Sequence, residues 1–148
     1  VDGEHKKRLF AGTTVYRNRR GGTAFVFCGT PRSNYNIVEA FSFLNYSRKQ
    51  QLIEMMRSAG ELPVYYPGDA EVYLRAADLD SGGIFCAVFN IGLDPIERLT
   101  LCADRKIKKI SYLTPGGSFE PTAFSEDNGT LTLELPCPTL DPVILILE

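Results

Sequence analysis

Two carboxylates and three tyrosines lie close together in YYPGDAEVY, residues 65–73. Asp69 and Glu71 are two positions apart, so their side chains point the same way if the chain is extended there. Two carboxylates flanking a glycosidic bond are the usual machinery of glycoside hydrolysis. Tyrosines add aromatic faces of the kind that pack on the apolar face of a sugar. The tyrosines are Tyr65, Tyr66 and Tyr73.

Three roles are open to this segment. Prolines at positions 63 and 67 are typical of a hinge between two parts of a chain, which is the interpretation that we favour. A ligand-binding surface comes second. Catalysis ranks last, because nothing positions a base or a nucleophile; a small enzyme would draw on Asp69, Glu71 or Glu39. We therefore expect no catalytic residue and keep five candidate ligand-binding residues: Tyr65, Tyr66, Asp69, Glu71 and Tyr73.

Other residue types that support catalysis or metal binding are sparse. His5 is the only histidine and lies in the charged stretch DGEHKKR, so the sequence offers neither a Ser-His-Asp triad nor a clustered metal site. The glycine motifs that bind phosphate are absent from the sequence. The paired glycines of TPGGSF (114–119) lie between two strand candidates and predict a hairpin turn instead. We expect no metal and no cofactor.

The four cysteines lack the close spacing of a zinc site. Cys28, Cys86 and Cys102 lie in apolar runs, where cysteine acts as a small hydrophobic residue. Cys137 lies between two prolines. Reduced, structural cysteines in a cytoplasmic protein are the favoured interpretation, with one disulfide left open.

Charge is divided unevenly, although the net charge is only −2. Residues 1–61 hold ten Lys or Arg against five Asp or Glu, and residues 62–148 hold six against thirteen. The net negative charge argues against a nucleic-acid partner. The sequence also contains no run of about 18 apolar residues, the length needed to span a membrane. The asymmetry favours two portions that dock on each other. An anion site at the basic YRNRRGG stretch is less favoured, because no helix follows it directly to supply backbone donors.

The first portion, residues 1–61, predicts two strands and a helix. TTVYRN (13–18) and TAFVFCG (23–29) are rich in β-branched and aromatic residues, with RRGG between them. Residues 47–59 predict a helix, since they begin with the capping box SRKQ and repeat apolar residues along one helical face.

The second portion, residues 62–148, predicts an antiparallel β-sandwich, so the fold class of the chain is α+β. Strand candidates recur about every ten residues, as in sandwiches, with turn signals such as DSGG and EDNG between them. IFCAVF and VILILE do not alternate, which predicts central strands with protein on both faces. The candidates are 71–76, 83–90, 96–102, 107–113, 129–135 and 142–148.

Asn90 ends the first of these central strands, at the start of NIGLDP. An asparagine at a strand end either binds a ligand or makes local hydrogen bonds. Asn and Gly are typical turn residues, and Pro95 fixes the next bend, so we predict a turn.

The order of elements resembles the C-terminal end of large multidomain bacterial glycoside hydrolases of the β-galactosidase type. The resemblance covers most of residues 10–148. It rests on GGTAFVFCGTP followed by the helix RKQQLIEMMRSAG, then on AVFNIGLDPIERLTL, KKISYLTPGGSFEP and LDPVILILE. In that family a catalytic barrel precedes an amidotransferase-like domain, often used for trimerisation, and a small all-β domain closes the chain.

The resemblance implies that residues 1–61 end an amidotransferase-like domain and that residues 62–148 are the closing β domain. The family's catalytic glutamates belong to the barrel, so it implies no catalytic residue in this chain. Its partner would be an upstream catalytic domain of the same polypeptide. The chain starts at Val1 without a signal-peptide pattern, so we expect a fragment. We also expect it to form homo-oligomers, because an incomplete α/β layer exposes apolar surface.

Two functions follow. The first is a non-catalytic accessory region of a carbohydrate-active enzyme, with a structural or oligomerisation role. The alternative is a carbohydrate-binding module that stacks sugars on a tyrosine platform, although the absence of Trp argues against it. The platform would consist of Tyr65, Tyr66, Tyr73 and Tyr112.

Overall fold

A computed structural model describes residues 12–27, 46–60 and 62–148. The chain divides into two compact units, residues 1–60 and residues 61–148. The described residues form one helix and otherwise antiparallel strands, which confirms the predicted α+β class with a β-sandwich.

The first unit pairs a β-hairpin with a helix. Its elements are β1 (Thr13–Arg17), β2 (Thr23–Phe27) and α1 (Tyr46–Ala59). Gln51 Nε2 of the helix donates a hydrogen bond to Thr13 Oγ1 at 3.0 Å, and Arg17 Nη2 donates to the carbonyl of Ser58 at 3.1 Å. These bonds join the two ends of β1 to α1. The predicted strand 13–18 and helix 47–59 are confirmed to within one residue, and the strand 23–29 is confirmed as far as Phe27, beyond which its last two residues lie outside the described part of the chain.

The second unit is a sandwich of two antiparallel sheets. The first sheet has the order β3 (Val64–Tyr65), β6 (Thr100–Ala103), β10 (Thr130–Leu133), β9 (Phe124–Asp127). The second sheet has the order β4 (Val72–Asp78), β5 (Ile84–Asn90), β11 (Val143–Leu147), β7 (Ile110–Leu113), β8 (Phe119–Thr122).

The hydrophobic core of the second unit lies between its two sheets. Each fully buried aliphatic side chain contributes about 1.5–3 kcal/mol, so the facing layers dominate the stability of the sandwich. The four-stranded sheet and the chain beside it supply Leu99, Leu101, Leu131 and Leu133. The five-stranded sheet supplies Ile84, Cys86, Val88, Ile110, Leu145 and Leu147.

The two apolar runs IFCAVF and VILILE form β5 and β11, which are central strands as predicted. The side chains of β5 and β11 that point towards the core are buried. The residues that alternate with them point to the outer face of the sheet, because successive side chains of a strand point to opposite faces. On that outer face Phe85, Phe89, Ile144 and Ile146 are half-buried, so both faces are covered but not equally.

Three strands of the structure were not predicted from the sequence pattern. β3 has only two residues, and β9 is mostly polar. β8 contains Pro121, which a strand tolerates at the edge of a sheet, where β8 lies. The candidate 96–102 is too long as well, because Ile96 forms only an isolated bridge with Cys137 before β6 begins.

Tight turns join the hairpins of the sandwich. The predicted turn in TPGGSF is confirmed, since β7 pairs with β8 and Thr114 N donates to Ser118 O at 2.8 Å. Asn128 and Gly129 join β9 to β10 with φ of 49° and 80°. Positive φ at both positions is the signature of a two-residue hairpin turn of type I′.

Candidate functional site

The segment 65–73 crosses from one sheet of the sandwich to the other. Tyr65 pairs with Cys102 in the four-stranded sheet, and Val72 starts β4 in the five-stranded sheet. The segment therefore lies inside the second unit. The hinge interpretation placed it at a boundary, which the structure puts between residues 60 and 61.

Tyr66 is part of the core, with 8% of its surface exposed. Burial raises the pKa of its hydroxyl, and a hydrogen bond from the backbone of Ala70 opposes that effect. The backbone of Gly68 packs against the Tyr66 ring so closely that a Cβ at position 68 would overlap the phenol. Tyr66 therefore holds the crossover in place and offers no face to a ligand.

Tyr65 and Tyr73 point to opposite sides of the sandwich. Val64 and Tyr66 belong to the core, so Tyr65 between them points out of the four-stranded sheet. Leu74 packs against the core, so its neighbour Tyr73 points out of the five-stranded sheet. Tyr112 is half-buried and packs against the core. The four tyrosines of the predicted platform therefore share no common face.

Tyr73 is the most accessible of these tyrosines, at 49% exposed. Its ring centroid lies 6.0 Å from that of Phe89, with the planes tilted by 48°. Arg75 Nη1 donates a hydrogen bond to Tyr73 Oη at 3.1 Å, which raises the pKa of the guanidinium. These contacts fix one aromatic edge on the outer face of the five-stranded sheet.

Asp69 and Glu71 are both exposed and lie just before β4 begins at Val72. Glu71 contributes its backbone to the fold, because its carbonyl accepts a hydrogen bond from Ile91 N at 2.9 Å. Glycoside hydrolysis needs two carboxylates on either side of an enclosed bond. Asp69 and Glu71 stand on open surface, which does not provide that enclosure.

The structure offers no alternative centre for metal or nucleophilic chemistry in its described part. No group of three or more His, Cys, Asp or Glu side chains there is arranged to hold a metal ion. Cys86, Cys102 and Cys137 are free and buried, as predicted, and burial raises the pKa of the Cys86 thiol to about 12. His5, Cys28 and Glu39 lie outside the described residues.

Asn90 is fully buried, and each polar atom of its side chain has a partner. Nδ2 donates hydrogen bonds to the carbonyls of Asp94 at 2.8 Å and Cys137 at 3.2 Å. Oδ1 accepts one from Gly92 N at 3.0 Å. The predicted turn role is confirmed, and the bond to Cys137 extends it to a distant segment. Leu140 N also donates to the backbone carbonyl of Asn90 at 2.9 Å.

A groove opens where β7 and β11 separate. Their ladder runs only from Leu147–Ile110 to Leu145–Tyr112. Continued register would join Ile144 to Leu113, but these residues line a cavity of about 450 Å³ instead. Its other lining residues are Tyr112, Thr114, Pro115, Leu135, Pro136, Pro138, Asp141, Pro142 and Val143.

Sequence reasoning did not identify this groove. The available signal is the prolines of LTPGG, LPCP and LDP, which cannot donate the backbone hydrogen bonds that would extend a ladder. A cavity of this size, with apolar walls and few polar groups, is the usual form of a small-ligand site. Of the four tyrosines of the predicted platform, only Tyr112 lines it.

Comparisons with protein-family models, with curated proteins and with solved structures find no match to this chain. No helix among the described residues is long and apolar enough to cross a membrane.

Proposed function

We propose that the chain is a non-catalytic accessory region of a carbohydrate-active enzyme, with a structural or subunit-contact role. The basis for naming that enzyme class is the resemblance to the C-terminal end of large glycoside hydrolases. The observation that carries the accessory role is the apolar outer face of the five-stranded sheet. Its partner in this proposal is a catalytic domain of the same polypeptide or a second copy of the chain.

The outer face of β4, β5 and β11 carries mostly apolar side chains, with Arg75 of β4 as a charged exception. The ladders place Tyr73 opposite Phe89, and they place Phe85 opposite Ile146. Ile144 lies opposite Ala87 on the same face. The outer face of an antiparallel sheet in water normally carries polar side chains, so this composition favours a face that packs against protein.

The dispersal of the candidate site residues also supports a non-catalytic role. Tyr66 is in the core, Tyr65 and Tyr73 lie on opposite faces, and Asp69 and Glu71 are exposed. Catalysis would need a base or nucleophile held within hydrogen-bond reach of its partner. Neither carboxylate, of Asp69 or of Glu71, has a side-chain hydrogen bond of this kind to another described residue.

Light scattering of the full chain tests the subunit-contact role. We expect self-association at ~100 μM, the range of a weak interface. Tyr73→Lys places a charge on the outer face and should shift the chain toward monomer. Leu93→Lys is the control, since Leu93 is an exposed apolar residue of a loop outside both sheets. A wild-type chain that stays monomeric at this concentration would contradict the subunit contact.

A panel of nitrophenyl glycosides tests the absence of catalysis. We expect no turnover above the buffer rate by the purified chain. Turnover that Asp69→Asn or Glu71→Gln abolishes would overturn the proposal and move the active site to residues 65–73.

A carbohydrate-binding module is the second candidate, and Tyr73 is the observation that favours it. Its exposed ring is held by Phe89 and Arg75, as a stacking surface requires. A glycan array with wild-type chain and Tyr73→Ala tests this function. Binding lost in the variant supports it, and an array without any signal counts against it.

A further inference from the structure

The groove between β7 and β11 is poor in hydrogen-bond donors. Four of its eleven lining residues are prolines, which have no backbone N–H. Leu113, Leu135, Val143 and Ile144 supply apolar side chains to its walls. Among the residues that the structure describes, no Lys, Arg, His, Asn or Gln lines it. A ligand in this groove therefore meets apolar surface and few groups that can donate to it.

The polar side chains that line the groove are Tyr112, Thr114 and Asp141. Thr114 Oγ1 is engaged within its own turn, where it lies 3.0 Å from the carbonyl of Ser118. Asp141 is exposed and is the one charged residue among the described residues of the lining. The groove thus presents a carboxylate at its edge and an aromatic residue in its wall.

This combination discriminates between ligand classes. An anion would find no positive partner and would face Asp141. A neutral polyol would find few donors for its oxygens, and buried polar atoms left without partners lower affinity. A cation brings the donors itself, and both a carboxylate and an aromatic ring attract it.

We propose that the groove binds a cationic group carried on an apolar stem, as in an alkylguanidinium or alkylammonium. Asp141 pairs with the charge, and the apolar walls contact the stem. Residues 62–148, with six basic against thirteen acidic residues, favour the approach of a cation. The same chemistry occurs in a free small cation and in an Arg or Lys side chain of a polypeptide.

The wall that carries Asp141 is fixed before a ligand arrives. Asn90 binds the carbonyl of Cys137 through Nδ2 and the amide of Leu140 through its backbone carbonyl. Thr139 Oγ1 also donates to the carbonyl of Leu93 at 3.4 Å. A wall ordered in advance loses little conformational entropy on binding. The groove does not include Tyr73 and shares only Ile144 with the outer face of the five-stranded sheet, so the two proposals can be tested separately.

NMR titration of the full chain tests this inference with matched probes. The cationic probes are butylguanidinium and the peptide acetyl-Gly-Arg-Gly-amide; butylurea is the neutral control. We expect both cations to shift the amide signals of Leu113, Thr114 and Ile144, and butylurea to shift them much less. A response to butylguanidinium alone identifies the source as a free small cation, and a response to the peptide alone identifies it as a polypeptide side chain.

Charge-neutral variants complete the test. Asp141→Asn should weaken butylguanidinium binding about tenfold, because it removes a charged hydrogen-bond partner. Asp127→Asn, at the exposed end of β9, is the matched control and should leave binding unchanged. Equal shifts with butylurea, an unaffected Asp141→Asn variant, or a wild-type chain that responds to neither cation would each overturn the proposal.

Discussion

Residues 65–73 hold three tyrosines and two carboxylates, whereas residues 135–144 hold three prolines and a single carboxylate. The first segment is richer in reactive residue types, yet its side chains disperse into the core and onto opposite faces of the sandwich. The second segment lines a cavity of about 450 Å³. In this protein a concave surface arises where strand pairing stops, and the density of reactive residue types does not reveal it.

Asn90 accounts for part of this difference. Segment 65–73 is closed on itself through Tyr66, Gly68 and Ala70. Segment 135–144 is instead held from outside, by hydrogen bonds from the strand end at Asn90. A segment tied from outside can leave its other side open as a wall.

The largest effect should come from Asn90→Ala. The variant removes two donors and one acceptor, leaving the carbonyls of Asp94 and Cys137 and the amide of Gly92 without their partner. We expect the free energy of unfolding to fall by about 3 kcal/mol, because a buried group such as the Cys137 carbonyl costs about 1–3 kcal/mol when left unsatisfied, and the part-buried groups of Asp94 and Gly92 add to the loss. Urea denaturation measures it. Asn128→Gly, at a turn position with φ of 49°, is the control and should change little. An Asn90→Ala variant as stable as wild type would contradict the anchoring role.

A smaller loss should follow from Gly68→Ala. The new Cβ would overlap the Tyr66 phenol, and overpacking costs about 1–3 kcal/mol. Gly116→Ala is the matched control, because a Cβ there meets only Thr114 Oγ1 at an ordinary 3.6 Å. If the two alanine variants unfold at the same urea concentration, the packing of Gly68 on Tyr66 does not hold residues 65–73 in place.

Tyr66→Phe should cost about 1 kcal/mol, the usual contribution of one hydrogen bond. It should also change the dependence on pH. The folded-state pKa of Tyr66 is raised above 10.0, so its contribution to stability is complete below pH 10 and is lost as pH rises through the folded pKa. We expect wild type to lose more stability above pH 10 than Tyr66→Phe. Cys86 and Cys137 are present in both proteins, and the negative charge of the Cys137 thiolate only raises the pKa of Tyr66 further, so the difference between the two profiles reports on Tyr66. Parallel profiles would contradict its burial.

The smallest effect should come from the double variant Asp69→Asn, Glu71→Gln. Both residues are exposed, and surface substitutions usually change stability by about 0.5 kcal/mol or less. Thermal unfolding followed by circular dichroism measures this. A shift as large as that of Gly68→Ala would show that these carboxylates take part in the segment's own packing.

Local patterns were sufficient for the elements with strong periodicity. The apolar runs around Cys86 and Leu145 predicted central strands, and the capping box with its apolar face predicted α1. The turn at Asn90 followed from its neighbours, Gly92 and Pro95. In each case the residues that decide the structure lie within a few positions of one another.

The remaining features depend on contacts between distant residues. β8 was missed because Pro121 is acceptable only at a sheet edge, and its edge position is set by the pairing with β7. The dispersal of Tyr65 and Tyr73 depends on which sheet each strand joins. The groove forms because β7 and β11 separate beyond Tyr112. The residues of each strand do not indicate that these two strands pair, so the groove could not be predicted from local sequence.

A map of amide shifts across the full chain, titrated with butylguanidinium, compares the two segments most directly. We predict changes at Leu113, Thr114 and Ile144, which line the groove, and unchanged signals at Asp69 and Glu71. Changes at Asp69 and Glu71 with a silent groove would contradict the account, because the carboxylate-rich crossover would then be the binding surface.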